Sequence, residues 1–182
     1  RPADALTTLD ELLQGEPRFG RAWQERGHTL LVLNRPDEAR LSFEQALRHN
    51  PALPGAWRKL VQLYGQAGLK QQQEAAQGQL EQLLALPREL LSVTSMIHEG
   101  RFYRAERLCR HFLRLHPQHV EGMRLLALIG NELNVLPDAE FLLETCLEFE
   151  PGFDQARYDY ANLLLKMQKF EAAHEQCQRL LD

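Results

Sequence analysis

Proline and alanine return at one distance along this 182-residue chain, and that recurrence limits the fold more than any single motif does. Pro17 and Pro51 lie 34 residues apart, as do Pro117 and Pro151, Ala5 and Ala39, Ala105 and Ala139, and Ala139 and Ala173. Trp23 with Trp57, and Leu30 with Tyr64, keep the same interval. Between Pro51 and Pro117 the spacing is 66, nearly two periods, with Pro87 off register between them; Ala75 fits the alanine series with intervals of 36 and 30. A fixed period of about 20–50 residues marks a stacked array in which each unit completes its neighbour's core.

Within each period apolar residues fall at helical spacings, as in Phe43, Ala46 and Leu47 or Phe170, Ala173, Cys177 and Leu180, and no alternating strand pattern competes. Asn34 with Pro36, Gly68, Gly100, and Asn134 with Pro137 punctuate the periods, while Asp37 and Asp138 stand where an acidic side chain favours a helix start. The expected helices are 3–15, 20–33, 36–49, 54–67, 71–85, 88–98, 102–115, 119–133, 137–148, 153–167 and 170–181. They form a leading helix and pairs near 20–50, 54–86, 88–116, 119–149 and 153–182, expected as one all-α solenoid domain over residues 1–182. Ordering one 34-residue pair costs on the order of 50 kcal/mol at roughly 1.5 kcal/mol per residue, so pairs must stack to bury enough surface. Alanine at the recurring position lets two helices approach closely, and Trp23 and Trp57 are expected in the core.

Composition removes several function classes. A net charge of −4 and an isoelectric point near 6.0 oppose a nucleic-acid-binding surface, RNA-reading helical repeats included. No window approaches 18 uninterrupted apolar residues, and the amino terminus lacks a secretory pattern, so neither membrane insertion nor export is expected. Cys109, Cys146 and Cys177 are odd in number and form no CxxC or Cys/His metal spacing, which fits reduced thiols in the cytoplasm. Cys109 and Cys177 fall at a normally packed repeat position and are expected to be buried and inert. His111, His116 and His119 are spaced by five and three with Pro117 intervening, not a ligand pair on one helix face. No metal and no cofactor are expected. No nucleophile, base or paired-carboxylate arrangement stands out from the repeat lattice, so no catalytic residue is assigned.

Residues 20–53 carry Trp23, Gly27, Leu30, Ala39, Phe43, Ala46 and Pro51 in an order that resembles the tetratricopeptide repeat (TPR) family. The unit at 120–153 keeps Leu126, Ala127, Ala139 and Pro151, with Met123 at the Trp place, Leu143 at the Phe place and Cys146 at the second Ala; the unit from 154 keeps Ala161, Leu164 and Ala173. Residues 54–119 depart most, with glutamines at 71–73, 77, 79 and 82. The resemblance implies a right-handed superhelical solenoid of about five repeats after the leading helix, acting as a scaffold for a protein or peptide partner. More narrowly, the run from Glu89 to Phe149, with Ser95–Arg101 and Arg107–Phe112, resembles the amino-terminal repeat region of bacterial proteins that carry a sulfotransferase domain. That implies an alternative role as the substrate-recruiting or oligomerising arm of such an enzyme, whose phosphosulfate loop is not in these residues. The chain reads as a piece of a longer protein, starting inside a second helix and stopping at Leu180-Leu181-Asp182 without a polar cap, and the uncapped ends suggest self-association.

In such a solenoid the first helix of each pair lines the concave groove. The places that read a partner fall here on Arg21, Gln24, His28, Arg58, Gln62, Thr94, His98, Arg124, Tyr158, Asn162 and Lys166. A clamp for a chain-terminal carboxylate would need Lys and Asn where Gln24, His28, Lys59, Pro87 and Leu91 stand, so that mode is not expected. Residues 101–116 hold Arg101, Arg104, Arg107, Arg110 and Arg114 against Glu106 alone, whereas 132–154 hold seven acids and no Lys or Arg. Arg110 and Glu144, like Arg114 and Glu148, are 34 apart, and the expected consequence is opposite charges facing each other on adjacent second helices.

Overall fold

The structure, a computed structural model, describes residues 1–181. Among them lie eleven α-helices and no strand: α1 (Pro2–Gly15), α2 (Gly20–Val32), α3 (Pro36–His49), α4 (Pro54–Gln66), α5 (Lys70–Ala85), α6 (Arg88–His98), α7 (Phe102–Leu115), α8 (Val120–Glu132), α9 (Leu136–Phe149), α10 (Asp154–Lys166) and α11 (Phe170–Gln178). Every expected helix forms, with ends within one residue of expectation except the last, which stops at Gln178. The fold is the all-α helix-hairpin type that the period requires.

The chain divides into two compact units, Arg1–Gly100 and the residues from Arg101 onward. The division falls inside the segment expected as the third helix pair, assigning α6 to the first unit and α7 to the second. In the first unit α2/α3 and α4/α5 are hairpins, α1 packs on α2, and α3 packs on α4. Its core gathers Leu6, Leu30, Phe43, Ala46, Leu53, Leu60 and Leu63, with Trp23, Trp57 and Tyr64 packed against it. Both indoles anchor the preceding turn, Trp23 donating to the Pro17 carbonyl at 2.9 Å and Trp57 to that of Pro51 at 2.8 Å. Glycine at position 27 is a steric requirement, because a Cβ there would stand 2.8 Å from the ring of fully buried Phe43. In the second unit α8/α9 and α10/α11 are hairpins, α7 packs on α8, and α9 packs on α10. Its core holds Met123, Ala139, Leu143, Cys146, Tyr160, Leu163 and Leu164.

The helices α7, α8, α9, α10 and α11 begin 100 residues after α1, α2, α3, α4 and α5, and four of the five pairs have identical lengths. The second unit therefore repeats the first on a longer scale than the hairpin period: a single helix followed by two hairpins. Only α6 has no counterpart among the described residues. The left-handed residues that end first helices recur at the same offset, Asn34 with Asn134 and Gly68 with Gln168, each closing a Schellman turn such as Arg35 N–H to Leu30 carbonyl or Val135 N–H to Gly130 carbonyl.

Three expectations need correction. The recurring alanines Ala39, Ala105, Ala139 and Ala173 are buried, but Ala5 and Ala75 are exposed. In α5 the place equivalent to Ala173 holds Gln73, accommodated because Gly65 on the facing helix leaves room; a Cβ there would meet the Gln73 amide at 2.8 Å. The ladder of opposite charges does not form: Arg110 pairs with Glu106 at 2.8 Å, Arg114 lies 3.1 Å from His111 Nδ1, and Glu144 accepts from the Tyr160 hydroxyl at 2.6 Å. A partner one turn away on the same helix requires no second helix in register and captures the side chain first. Cys109 is buried as expected, whereas Cys177 is exposed, because α11 packs on α10 and no further described helix covers its other face.

Candidate functional site

In the first unit the places expected to line a groove lie on α2, α4 and α6. Arg21 on α2 pairs through Nε with Glu99 and donates to Ser95 Oγ at 3.1 Å. Asn50, only 1% exposed at the end of α3, donates through its side-chain amide to Ser95 Oγ at 3.0 Å and to Glu99 at 3.3 Å, while its Oδ1 accepts the Ala52 N–H at 3.1 Å. These bonds fasten the carboxy-terminal half of α6 to the start of α2 and the end of α3. Sequence reasoning missed Asn50, Ser95 and Glu99; an amide directly before a helix-breaking proline was the available signal. His28 sets its ring edge-on to Phe43 at 5.1 Å, and Thr94 donates to the Leu90 carbonyl of its own helix, so both serve packing. Gln24 lies across from Gly55, where a Cβ would stand 3.5 Å from its Oε1. Arg58, Gln62 and His98 are exposed, and none of them has a side-chain partner among the described residues.

In the second unit Arg124 on α8 is held by two carboxylates. Glu121 takes it bidentately at 2.7 and 2.8 Å and Asp159 on α10 takes it at 2.6 Å, leaving the side chain 13% exposed. Burial alone would lower its pKa, but the hydrogen bonds and charges of Glu121 and Asp159 outweigh this and raise it. Lys166 on α10 donates to the Asn131 carbonyl at 2.7 Å and to its side chain at 2.9 Å. Arg124 and Lys166 thus tie α10 to α8 at both ends. Tyr158, 56% exposed, and Asn162 stand on α10 without a side-chain partner among the described residues. They occupy the places of Arg58 and Gln62 on α4, 100 residues earlier. Two equivalent helices therefore present an unspent polar pair one turn apart.

The remaining chemistry-bearing side chains have structural work. His119 caps α8 by accepting the Gly122 N–H at 3.2 Å, His116 lies 4.6 Å from the Phe112 ring, and His111 meets Arg114. No group of three potential metal ligands converges among the described residues. Burial pushes the Cys109 thiol up to about 12, with Glu121 adding to it, and the Cys146 thiol up to about 11, far from a thiolate nucleophile at neutral pH. No described helix is long and apolar enough to cross a membrane.

The first unit's α2–α4 segment, residues 20–63, matches a family model described as tetratricopeptide repeat, and residues 136–182 match a second model of the same description. No curated protein matches the chain. Among solved structures, a human IFIT1 dimer with PPP-AAAA is similar at 18% identity, with a TM-score of 0.50 over 99% of this chain and 46% of that one. TTC0263, a thermophilic TPR protein in Thermus thermophilus, is similar at 22% identity and a TM-score of 0.49, covering 89% of this chain and 90% of that one. YrrB, described as a TPR protein with an unusual peptide-binding site, is similar at 12% identity and a TM-score of 0.49, covering 96% and 91%. None of these findings carries the narrower likeness to sulfotransferase-associated repeats. The two matched stretches, residues 20–63 and 136–182, are tetratricopeptide repeats.

Proposed function

We propose that the chain is a non-catalytic scaffold, each of whose two units holds an extended polypeptide along the first helices of its hairpins. The observation that supports this reading is the unspent pair at equivalent places, Arg58 with Gln62 on α4 and Tyr158 with Asn162 on α10. An exposed cation, a half-exposed phenol and two amides can hydrogen-bond a peptide backbone without demanding one sequence, the economy that concave repeat surfaces use. Of the other places expected to read a partner, Gln24, His28, Thr94 and His98 belong to the first unit; Arg21, Arg124 and Lys166 act by holding helices in place. Reduced Cys109 and Cys146 suit a cytoplasmic setting. The test is binding of a displayed library of random dodecamer peptides to the 182-residue chain. Arg58→Glu weakens the peptides held at α4 and Tyr158→Ala those held at α10, each about tenfold, an effect of roughly 1.4 kcal/mol, with helical circular dichroism unchanged. Selected peptides that bind both variants as well as the parent would remove the groove assignment. The sulfotransferase-arm alternative rests on the run from Glu89 to Phe149 alone, and requires a strand, phosphate-binding loop and helix in coding sequence beyond position 182.

A further inference from the structure

One junction of the first unit has an equivalent 100 residues on in the second, and their chemistry is opposite. In the first, Arg26 on α2 closes the space between α1 and α3: its Nε meets Asp10 at 2.7 Å, its Nη1 donates to Ser42 Oγ at 2.7 Å, and its guanidinium lies 5.7 Å from the Trp23 ring. The equivalent places in the second unit hold Arg110, Leu126 and Leu142. No pair can form across that junction. A cleft of about 530 Å³ lies there instead, with Leu113 and Leu126 as its apolar lining and Arg107, Arg110 and Arg114 along it. Arg107 has no acidic partner among the described residues, and Arg110 and Arg114 hold only same-helix neighbours. An apolar recess rimmed by cations is complementary to an apolar side chain flanked by carboxylates.

The outer face of α9 offers that chemistry. Phe141 is 66% exposed, Phe149 is 50% exposed, and Glu144 and Glu148 are exposed between them. Glu148 has no partner among the described residues, and Glu144 spends one oxygen on the Tyr160 hydroxyl. Glu144 and Glu148 are four residues apart, as are Arg110 and Arg114, so each pair presents its charges about 6 Å apart along a helix. The geometry points to a second copy of this chain as the occupant: a two-fold axis between α7 and α9 lays each α7 antiparallel on the other copy's α9, with Arg110 and Arg114 facing that copy's Glu148 and Glu144 and an exposed phenylalanine entering the cleft. Such a contact is isologous and closed, so it stops at a dimer.

Charge reversal separates this interface from any other. Sedimentation velocity of the 182-residue chain at about 50 mM salt, where screening is weak, is expected to show a dimer at roughly 100 µM that dissociates as salt rises. The variant Arg110→Glu with Arg114→Glu has only acidic faces at this interface, and Glu144→Arg with Glu148→Arg has only basic ones. Each alone is monomeric, with at least about tenfold weaker association, and an equimolar mixture of the two dimerises again because both contacts of the heterodimer are then complementary. Since Glu144 also receives Tyr160, Glu148→Arg alone, a fully external change, is the control and weakens the dimer without altering the helical spectrum. A parent chain that stays monomeric at low salt, variants that dimerise as the parent does, or a mixture that fails to recover would each overturn the proposal.

Discussion

The two units carry the same five-helix arrangement and solve its packing differently, which shows how much freedom a fixed backbone leaves to its side chains. At one contact Gly27 faces Phe43; 100 residues on, the equivalent residues are Ala127 and Leu143, both buried in the second core. At another Gly65 faces Gln73, and the equivalents are Leu165 and Ala173. In each case the pair joins a smaller residue on one helix to a larger one on its neighbour, while the identity of each member drifts. The turn anchor also survives a change of chemistry: Trp57 donates to the Pro51 carbonyl, and Arg157 donates to that of Pro151. The carboxylate at the equivalent places Glu44 and Glu144 accepts a tyrosine hydroxyl in both units, from Tyr64 in one and from Tyr160, one turn earlier on its helix, in the other.

The largest effects are expected where the size exchange is broken on one side only. Gly27→Ala drives a methyl into the Phe43 ring, and Leu143→Phe places a ring against Ala127; each is expected to destabilise by roughly 1–3 kcal/mol through overpacking. Gly27→Ala combined with Phe43→Leu recreates the second unit's combination inside the first, so its cost falls below the sum of the single changes by about 1 kcal/mol or more. Urea unfolding followed by circular dichroism measures all four. Because both tryptophans lie in the first unit, indole emission adds a local probe of Gly27→Ala. Additive single and double costs would show that the matched sizes at positions 27 and 43 are coincidental.

A smaller loss follows from importing the second unit's leucine at the α1–α2–α3 junction. Arg26→Leu removes the bond to Asp10 and the donor to Ser42, the latter buried at 1% exposure. Asp10 is 43% exposed and can be rehydrated, and Ser42 still donates to the Glu38 carbonyl, so the expected loss is about 1 kcal/mol, below that for a fully buried charge pair. An unchanged urea midpoint would mean the ion pair contributes only specificity.

The fold was legible because helix ends and the hairpin period are local quantities: turn residues such as Asn34, Gly68 and Asn134 stop helices wherever the chain goes. The longer repeat was hidden by α6, whose eleven residues lengthen the interval from Pro51 to Pro117 to 66 and look like a faulty 34-residue unit when only the short period is counted. The site was less legible for a different reason. Arg21, Arg124 and Lys166 stand at places expected to line a groove, yet their partners Glu99, Asp159 and Asn131 are 78, 35 and 35 residues away in sequence. Whether a polar side chain is spent internally depends on tertiary neighbours that a repeat position does not encode.

Alkaline pH probes the tyrosine–glutamate pair. Burial, reinforced by the hydrogen bond and charge of Glu44, pushes Tyr64 up to about 12, and the same causes act with Glu144 to raise Tyr160. A folded-state pKa above the ordinary value of about 10 means the fold favours the protonated phenol. That contribution is complete below pH 10 and is lost as pH rises toward 12. Tyr64→Phe is expected to cost roughly 0.5–1 kcal/mol at neutral pH and to flatten the decline of the urea midpoint between pH 10 and 12. An equal slope in parent and variant would show that Tyr64 does not carry it.

The smallest expected change has the opposite sign. Gln168 takes φ of 61° where the first unit places Gly68 at 70°. Its N–H bonds the Leu165 carbonyl at 3.0 Å, and Lys169 N–H bonds that of Leu164 at 2.9 Å, so the Schellman turn is complete and only the Cβ opposes it. A left-handed backbone costs a side-chain-bearing residue roughly 1–2 kcal/mol that glycine does not incur, while glycine's greater freedom in the unfolded chain returns about 0.5–1 kcal/mol of the difference. Gln168→Gly is therefore expected to stabilise by about 0.5 kcal/mol, and Gly68→Gln to destabilise by a similar amount. Opposite shifts of the urea midpoint in the two variants would show that the two turns impose the same backbone demand; shifts of one sign would show that Gln168 makes a compensating contact its equivalent does not need.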